Sequence, residues 1–150
     1  MKQLFTVFVL LSAIAGGLNS ASAQNFVNLT KSDTGKTINL DTSLVLVITL
    51  PANPTTGYGW MVSTIDSTII VQTGEREFVK DTSIKRMGQP GKQVLRFVGV
   101  SQGTANLQLQ YKRAWEKTKA PAQVCNFTIV SNGKYTGSYT PPVKAVNTKN

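Results

Sequence analysis

Histidine is absent from all 150 residues, and cysteine occurs once. Without imidazole, the chain has no His general acid or base, no Ser-His-Asp or Cys-His pairing, and few routes to a zinc site. A single thiol, Cys125, closes no intramolecular disulfide, so stability must come from packing and backbone ladders. Carboxylates are also scarce: Asp33, Asp41, Asp66, Glu75, Glu77, Asp81 and Glu116 are the whole set. They show no metal-ligand spacing. Glu75 and Glu77 fit an exposed, charged strand edge. No metal, no cofactor and no enzymatic activity are therefore expected. The enzyme reading left open is an exported catalyst working with a bare Asp or Glu. A sustained helical period is missing, and so is any dense basic run. The sixteen Lys and Arg, with a formal net charge of +9, are scattered and not interleaved with stacking aromatics. That argues against a nucleic-acid partner. A basic surface of this kind steers a protein toward an acidic partner instead.

What is present begins with an N-terminal leader. Met1, Lys2 and Gln3 precede the apolar run of residues 4–18, and Ala21 and Ala23 form an A-x-A cleavage site. Residues 1–23 read as a cleavable signal peptide, too short an apolar run for a membrane anchor. The exported product is secreted or periplasmic, with no membrane attachment. Its remaining ~127 residues make one domain able to bury a single core. The expected organisation is a domain over residues 24–130, followed by a flexible tail over 131–150, rich in Gly, Ser, Thr, Pro, Asn and Lys. Tyr135 and Tyr139 could pin that tail to a surface.

Between leader and tail, short apolar runs alternate with turn residues. Strands are expected over residues 25–30, 43–50, 58–64, 68–73, 76–80, 94–100, 105–113 and 123–130. The run at 43–50 is continuously apolar, as a strand buried on both faces would be. In 105–113, Leu107, Leu109 and Tyr111 face inward while Gln108, Gln110 and Lys112 face out. Cys125 shares a parity with Phe127 and Ile129, which makes it a small buried residue. Residues 31–37, 81–93, 101–104 and 114–122 read as turns and loops. The fold class is all-β: an immunoglobulin-like β-sandwich of about seven or eight strands. Counting main strands, with the short runs 68–73 and 76–80 taken as one, and with consecutive strands reversing direction, the second, fourth and sixth connections fall at one end, where a rigid frame presents binding loops.

The second connection is the most shaped of the three. In "NPTTGYGW", Pro54 fixes its own φ and pushes Asn53 to extended geometry, while Gly57 permits a positive φ. Thr55 and Thr56 are small and stiff at χ1. The product is a narrow, preorganised projection that can enter a cleft, or simply a turn. Trp60, two residues past Tyr58, is expected in the core. The fourth connection carries Gly88, Gln89, Pro90 and Gly91. The sixth opens with Arg113, Ala114, Trp115 and Glu116, where Trp115 either folds back or serves as an interface anchor.

Taken in order, these stretches resemble the chagasin-like inhibitors of papain-family cysteine proteases (peptidase inhibitor family I42). The resemblance runs from about residue 25 to 130. It rests on "NPTTGY" with Trp60, on "GQPG" followed by "VLRF", and on "RAW" where the family usually has Arg-Pro-Trp. It implies a monomeric, reversible, tight-binding inhibitor whose partner is a papain-family cysteine protease. Asn53, Pro54, Thr55, Thr56, Gly57 and Tyr58 would fill the active-site cleft. Gly88, Gln89, Pro90 and Gly91 would clamp the non-primed side, and Arg113 and Trp115 the primed side. Ala114, in place of proline, leaves that last loop freer. A non-inhibitory immunoglobulin-like adhesion or carbohydrate-binding module is the alternative use of the same loops.

Overall fold

The computed structural model describes residues 25–81, 88 and 90–141. The expected signal peptide and Gln89 lie outside the described residues. Among the described residues, nine strands follow in chain order: β1 (Asn25–Leu29), β2 (Thr37–Leu40), β3 (Leu44–Ala52), β4 (Tyr58–Thr64), β5 (Ile70–Gln72), β6 (Glu77–Lys80), β7 (Gly91–Gly99), β8 (Gln102–Arg113) and β9 (Gln123–Asn132). They form an immunoglobulin-like sandwich of two mixed sheets. One sheet runs β1-β3-β7-β5, with β6 also pairing β7; the other runs β2-β9-β8-β4. All pairings are antiparallel except β1 on β3 and β2 on β9, which are parallel.

Alternation decides which residues fill the space between the sheets. Leu46, Ile48 and Leu50 on β3, Leu95 and Phe97 on β7, Leu107 and Leu109 on β8, and Cys125, Phe127 and Ile129 on β9 are all buried in one cluster. Their period-2 spacing is the strand pattern anticipated for β8 and β9. Trp60 is fully buried in that cluster and donates its indole N–H to the Pro51 carbonyl at 2.9 Å, so it is a core residue. Cys125 is fully buried as a free thiol.

Several boundaries differ from the sequence expectation, including β3, which runs on to Ala52. β2 begins at the last residue of the expected turn 31–37 and otherwise lies where no strand is expected; it pairs Thr37 to Leu40 with Thr128 to Ser131 of β9. It has only Ile38 and Leu40 as apolar residues, too few to show a period. β7 begins at Gly91, so Gly91 and Gln93 are strand residues rather than loop residues. β8 begins at Gln102, inside the expected turn. β9 continues through Ser131 to Asn132, which places the expected domain boundary at 130 inside a strand.

Residues 133–141 then pack on the sandwich. Tyr135 N–H donates to the Gly99 carbonyl at 2.9 Å, and Thr136 N–H to the Thr42 carbonyl at 2.8 Å. Tyr139 meets Phe26 edge-on at 5.7 Å between ring centroids. Phe26 pairs with Val45, whose side chain has the opposite parity to Leu46 and is nonetheless fully buried. The apolar run of β3 is thus explained at its start, where the outer face is covered as well as the inner one.

Candidate functional site

The crest at residues 53–57 joins β3 to β4 through one 3-10 turn, Pro54–Thr56. Asn53 is extended at φ −131° and ψ 98°, as Pro54 requires, and Pro54 occupies the first position of the turn. The Asn53 carboxamide oxygen accepts from Thr55 N–H at 3.2 Å and from the Thr55 hydroxyl at 2.6 Å. The Thr56 hydroxyl donates to the Asn53 carbonyl at 2.7 Å. Gly57 ends the turn at φ 76°, and its N–H donates to the Pro54 carbonyl at 3.1 Å. The side chains of this crest therefore bond to its own backbone and to one another. Pro54, Thr55 and Thr56 remain exposed, and none carries a charge.

Two arms meet the crest. On one side, Asn53 Nδ2 donates to the Gly88 carbonyl at 3.2 Å, with Gly88 at φ 78°. Pro90 is exposed beyond it. Gly91 stands in the ladder between Ala52 and Lys80. A Cβ there would run into the Val79 carbonyl and the Phe78 ring, so the close approach of β6 to β7 requires glycine. On the other side, Arg113 Nε donates to the Thr56 carbonyl at 3.0 Å. Its guanidinium carbon lies 4.6 Å from the Tyr58 ring centroid, and Nη1 pairs with Glu116 at 3.1 Å. Glu116 is also 3.7 Å from Lys119 Nζ. Trp115 lies over Gly57, where a Cβ would collide with the indole, yet it is 67% exposed. The freedom that Ala114 leaves in this arm is met by the contacts of Arg113 with the crest, with Tyr58 and with Glu116.

Sequence reasoning missed two residues under the crest. Tyr111 was expected to face inward, which it does, but its hydroxyl also accepts Asn53 N–H at 3.0 Å. Its ring stacks on Tyr58 at 5.4 Å and tilts against Trp60 at 5.2 Å. Gln93 is buried and bonds to both backbone groups of Trp60. A strand tyrosine placed opposite Trp60 was a usable signal, whereas nothing near Gln93 in the sequence marks it. Tyr111→Phe keeps the aromatic stack and leaves the Asn53 N–H without that acceptor. Its expected cost is about 1 kcal/mol of folding free energy, read by chemical denaturation. An unchanged midpoint would mean that the hydroxyl does not support the crest.

The model of the family described as "Chagasin family peptidase inhibitor I42" matches residues 39–129, which span the crest and both arms. Amoebiasin-2 of Entamoeba histolytica is 26% identical over 102 residues, covering 68% of this chain and 82% of that protein. The crystal structure of a cysteine protease inhibitor from Entamoeba histolytica is similar at a TM-score of 0.64 and 23% identity, over 71% of this chain and 96% of the other. The solution structure of amebosin is similar at a TM-score of 0.57 and 26% identity, over 71% and 97% of the two chains.

Proposed function

The chain belongs to the chagasin family of peptidase inhibitors, and from that premise we propose that it plugs the active-site cleft of papain-family cysteine proteases with residues 53–58. Members of this family inhibit peptidases and are not enzymes. Thr55 and Thr56 stand nearest the catalytic thiol. Gly88, Gln89, Pro90 and Gly91 line the non-primed side, and Arg113 and Trp115 the primed side. The protein acts as an exported monomer, in the periplasm or outside the cell, after its leader is removed following Ala23.

The observation that carries this reading is the crest held between two arms, by Asn53 Nδ2 to the Gly88 carbonyl and by Arg113 Nε to the Thr56 carbonyl. A backbone braced in this way enters a cleft with little ordering left to do. It also resists the distortion that bond cleavage needs, because the attacked peptide does not reach reactive geometry. An interface of roughly 1,600 Å² suits a plug with two flanking contacts.

The test is titration of papain with the purified protein, followed by electrophoresis of the complex. The expected outcome is reversible, stoichiometric loss of peptidase activity with the chain intact between Asn53 and Gly57. Undiminished activity, or turnover of the chain at that crest, overturns the proposal.

A further inference from the structure

The crest carries no charge, but the ground on either side of it is basic. Lys80 ends β6 and Lys92 follows Gly91 on β7, beside the arm at Gly88. Lys112 precedes Arg113 on β8, and Lys117 lies in the loop after Trp115. Most other cations among the described residues are engaged. Lys36 pairs with Asp33, Arg96 with Glu77, and Arg113 and Lys119 with Glu116. Lys31 donates to Gln123, and Arg76 to the Trp60 carbonyl. Lys80, Lys92, Lys112, Lys117 and Lys134 form no ion pair or side-chain hydrogen bond among the described residues. Of these, all but Lys134 stand at the crest end.

Lys92 also lies between two open hollows. One, of about 330 Å³, is lined by Val79, Lys80, Asp81, Pro90, Gly91 and Lys92. The other, of about 310 Å³, brings Lys92 together with Lys31, Thr30 and Ser32. The second has two lysines and no carboxylate in its lining, so a protruding carboxylate side chain can enter it; in the first, Lys80 and Lys92 stand with Asp81. The far end of the sandwich has the opposite balance, with Asp41 before β3 and Asp66 after β4 against Lys134. Among the described residues, positive charge therefore gathers at the crest end.

We propose that these two lysine-bearing shoulders steer the protein onto a peptidase whose cleft is rimmed by carboxylates on both sides. The inference rests on the inhibitor reading above and adds the chemistry of the partner. A neutral crest enters the cleft without the cost of desolvating a charge. Lysines at the rim stay hydrated, so their attraction speeds encounter more than it slows escape. Steering of this kind can raise an association rate by roughly 10- to 1,000-fold, and it fades as salt shortens the screening length.

Stopped-flow association tests the proposal, using a papain-family peptidase with acidic cleft rims and the same peptidase with those carboxylates changed to lysine. The association rate for the acidic enzyme falls at least about tenfold between roughly 0.02 and 0.5 M salt, while dissociation changes little. The double variant K92E/K117E associates about tenfold more slowly at low salt and regains rate on the lysine-rimmed enzyme. K134E behaves as the parent protein does. Salt-independent association with inhibition intact overturns the steering and leaves the inhibitor reading standing, and so does a K134E that is slowed equally. Failure of the parent protein to inhibit either enzyme removes both.

Discussion

Trp115→Ala raises the inhibition constant toward a papain-family protease by about thirty-fold or more, corresponding to ~2 kcal/mol, while the protein's own unfolding midpoint stays nearly where it was. The separation of these two effects follows from where the indole sits. With 67% of its surface in water, Trp115 contributes little to the core, so its removal costs the free protein little. It is nevertheless held in place. The ring rests on Gly57, Arg113 before it is bonded to the Thr56 carbonyl, and Glu116 after it pairs with that same Arg113. An aromatic side chain already ordered in the free protein loses little entropy on docking, and its apolar area is then available to the complex. The effect appears mainly as faster dissociation, because a contact made late in docking changes the off-rate more than the encounter. An inhibition constant unchanged by the substitution would remove the primed-side arm from the interface. The crest and the Gly88 arm would not be touched by that result, since neither depends on the indole for its own hydrogen bonds.

How far this arrangement could be read in advance depends on which interaction carries each part. The sandwich was legible because β8 and β9 alternate strictly, and because β3 is apolar and β-branched; local pattern and tertiary burial agree there. The meeting of three loops at one end was legible by counting reversals, even though β2 was missed. β2 lies upstream of all three loops, so its omission changed the apparent position of β1 alone. The pairing of Ala52 with Gly91 and of Tyr58 with Arg113 brings those loops together. The crest was legible because proline and glycine act on their own dihedrals: Asn53 is extended and Gly57 has a positive φ, each for a local reason. Two features escaped because nothing local encodes them. β2 is held by parallel pairing to a strand about ninety residues away, with two apolar side chains of its own. The composition of the segment at 133–141 reads as a tail. Its placement depends on backbone bonds to Gly99 and Thr42 and on Tyr139 meeting Phe26, partners that composition does not reveal.

Gln93 is the sharpest instance, and it sets the largest expected effect on the fold itself. It stands in a Gly- and Pro-rich polar stretch that reads as loop, yet it is a β7 residue only 7% exposed. β4 is the edge strand of the opposite sheet, and an edge strand has backbone groups that its own ladder does not use. Gln93 reaches across the sandwich to them: its carboxamide oxygen accepts Trp60 N–H at 2.9 Å, and Nε2 donates to the Trp60 carbonyl at 2.7 Å. A glutamine is the side chain that offers one acceptor and two donors at that reach. Gln93→Leu preserves the bulk and removes both bonds. The Trp60 carbonyl keeps Arg76 Nη1 at 3.2 Å, so the N–H is the group left bare. A buried orphan donor of this kind costs about 1–3 kcal/mol. We expect a loss near 2 kcal/mol, seen as a fall of about 8 °C in Tm for a domain of this size. Arg76→Ala alone should cost little, because Gln93 still serves the carbonyl. The two changes together should cost more than their sum, since only then are both backbone groups of Trp60 stripped, and a double-mutant cycle measures that excess directly. The proposed plug would suffer with the fold, because Trp60 anchors the strand that leads out of the crest. Stability of Gln93→Leu within about 0.5 kcal/mol of the parent would mean that water, not the carboxamide, can satisfy the strand edge beneath the crest.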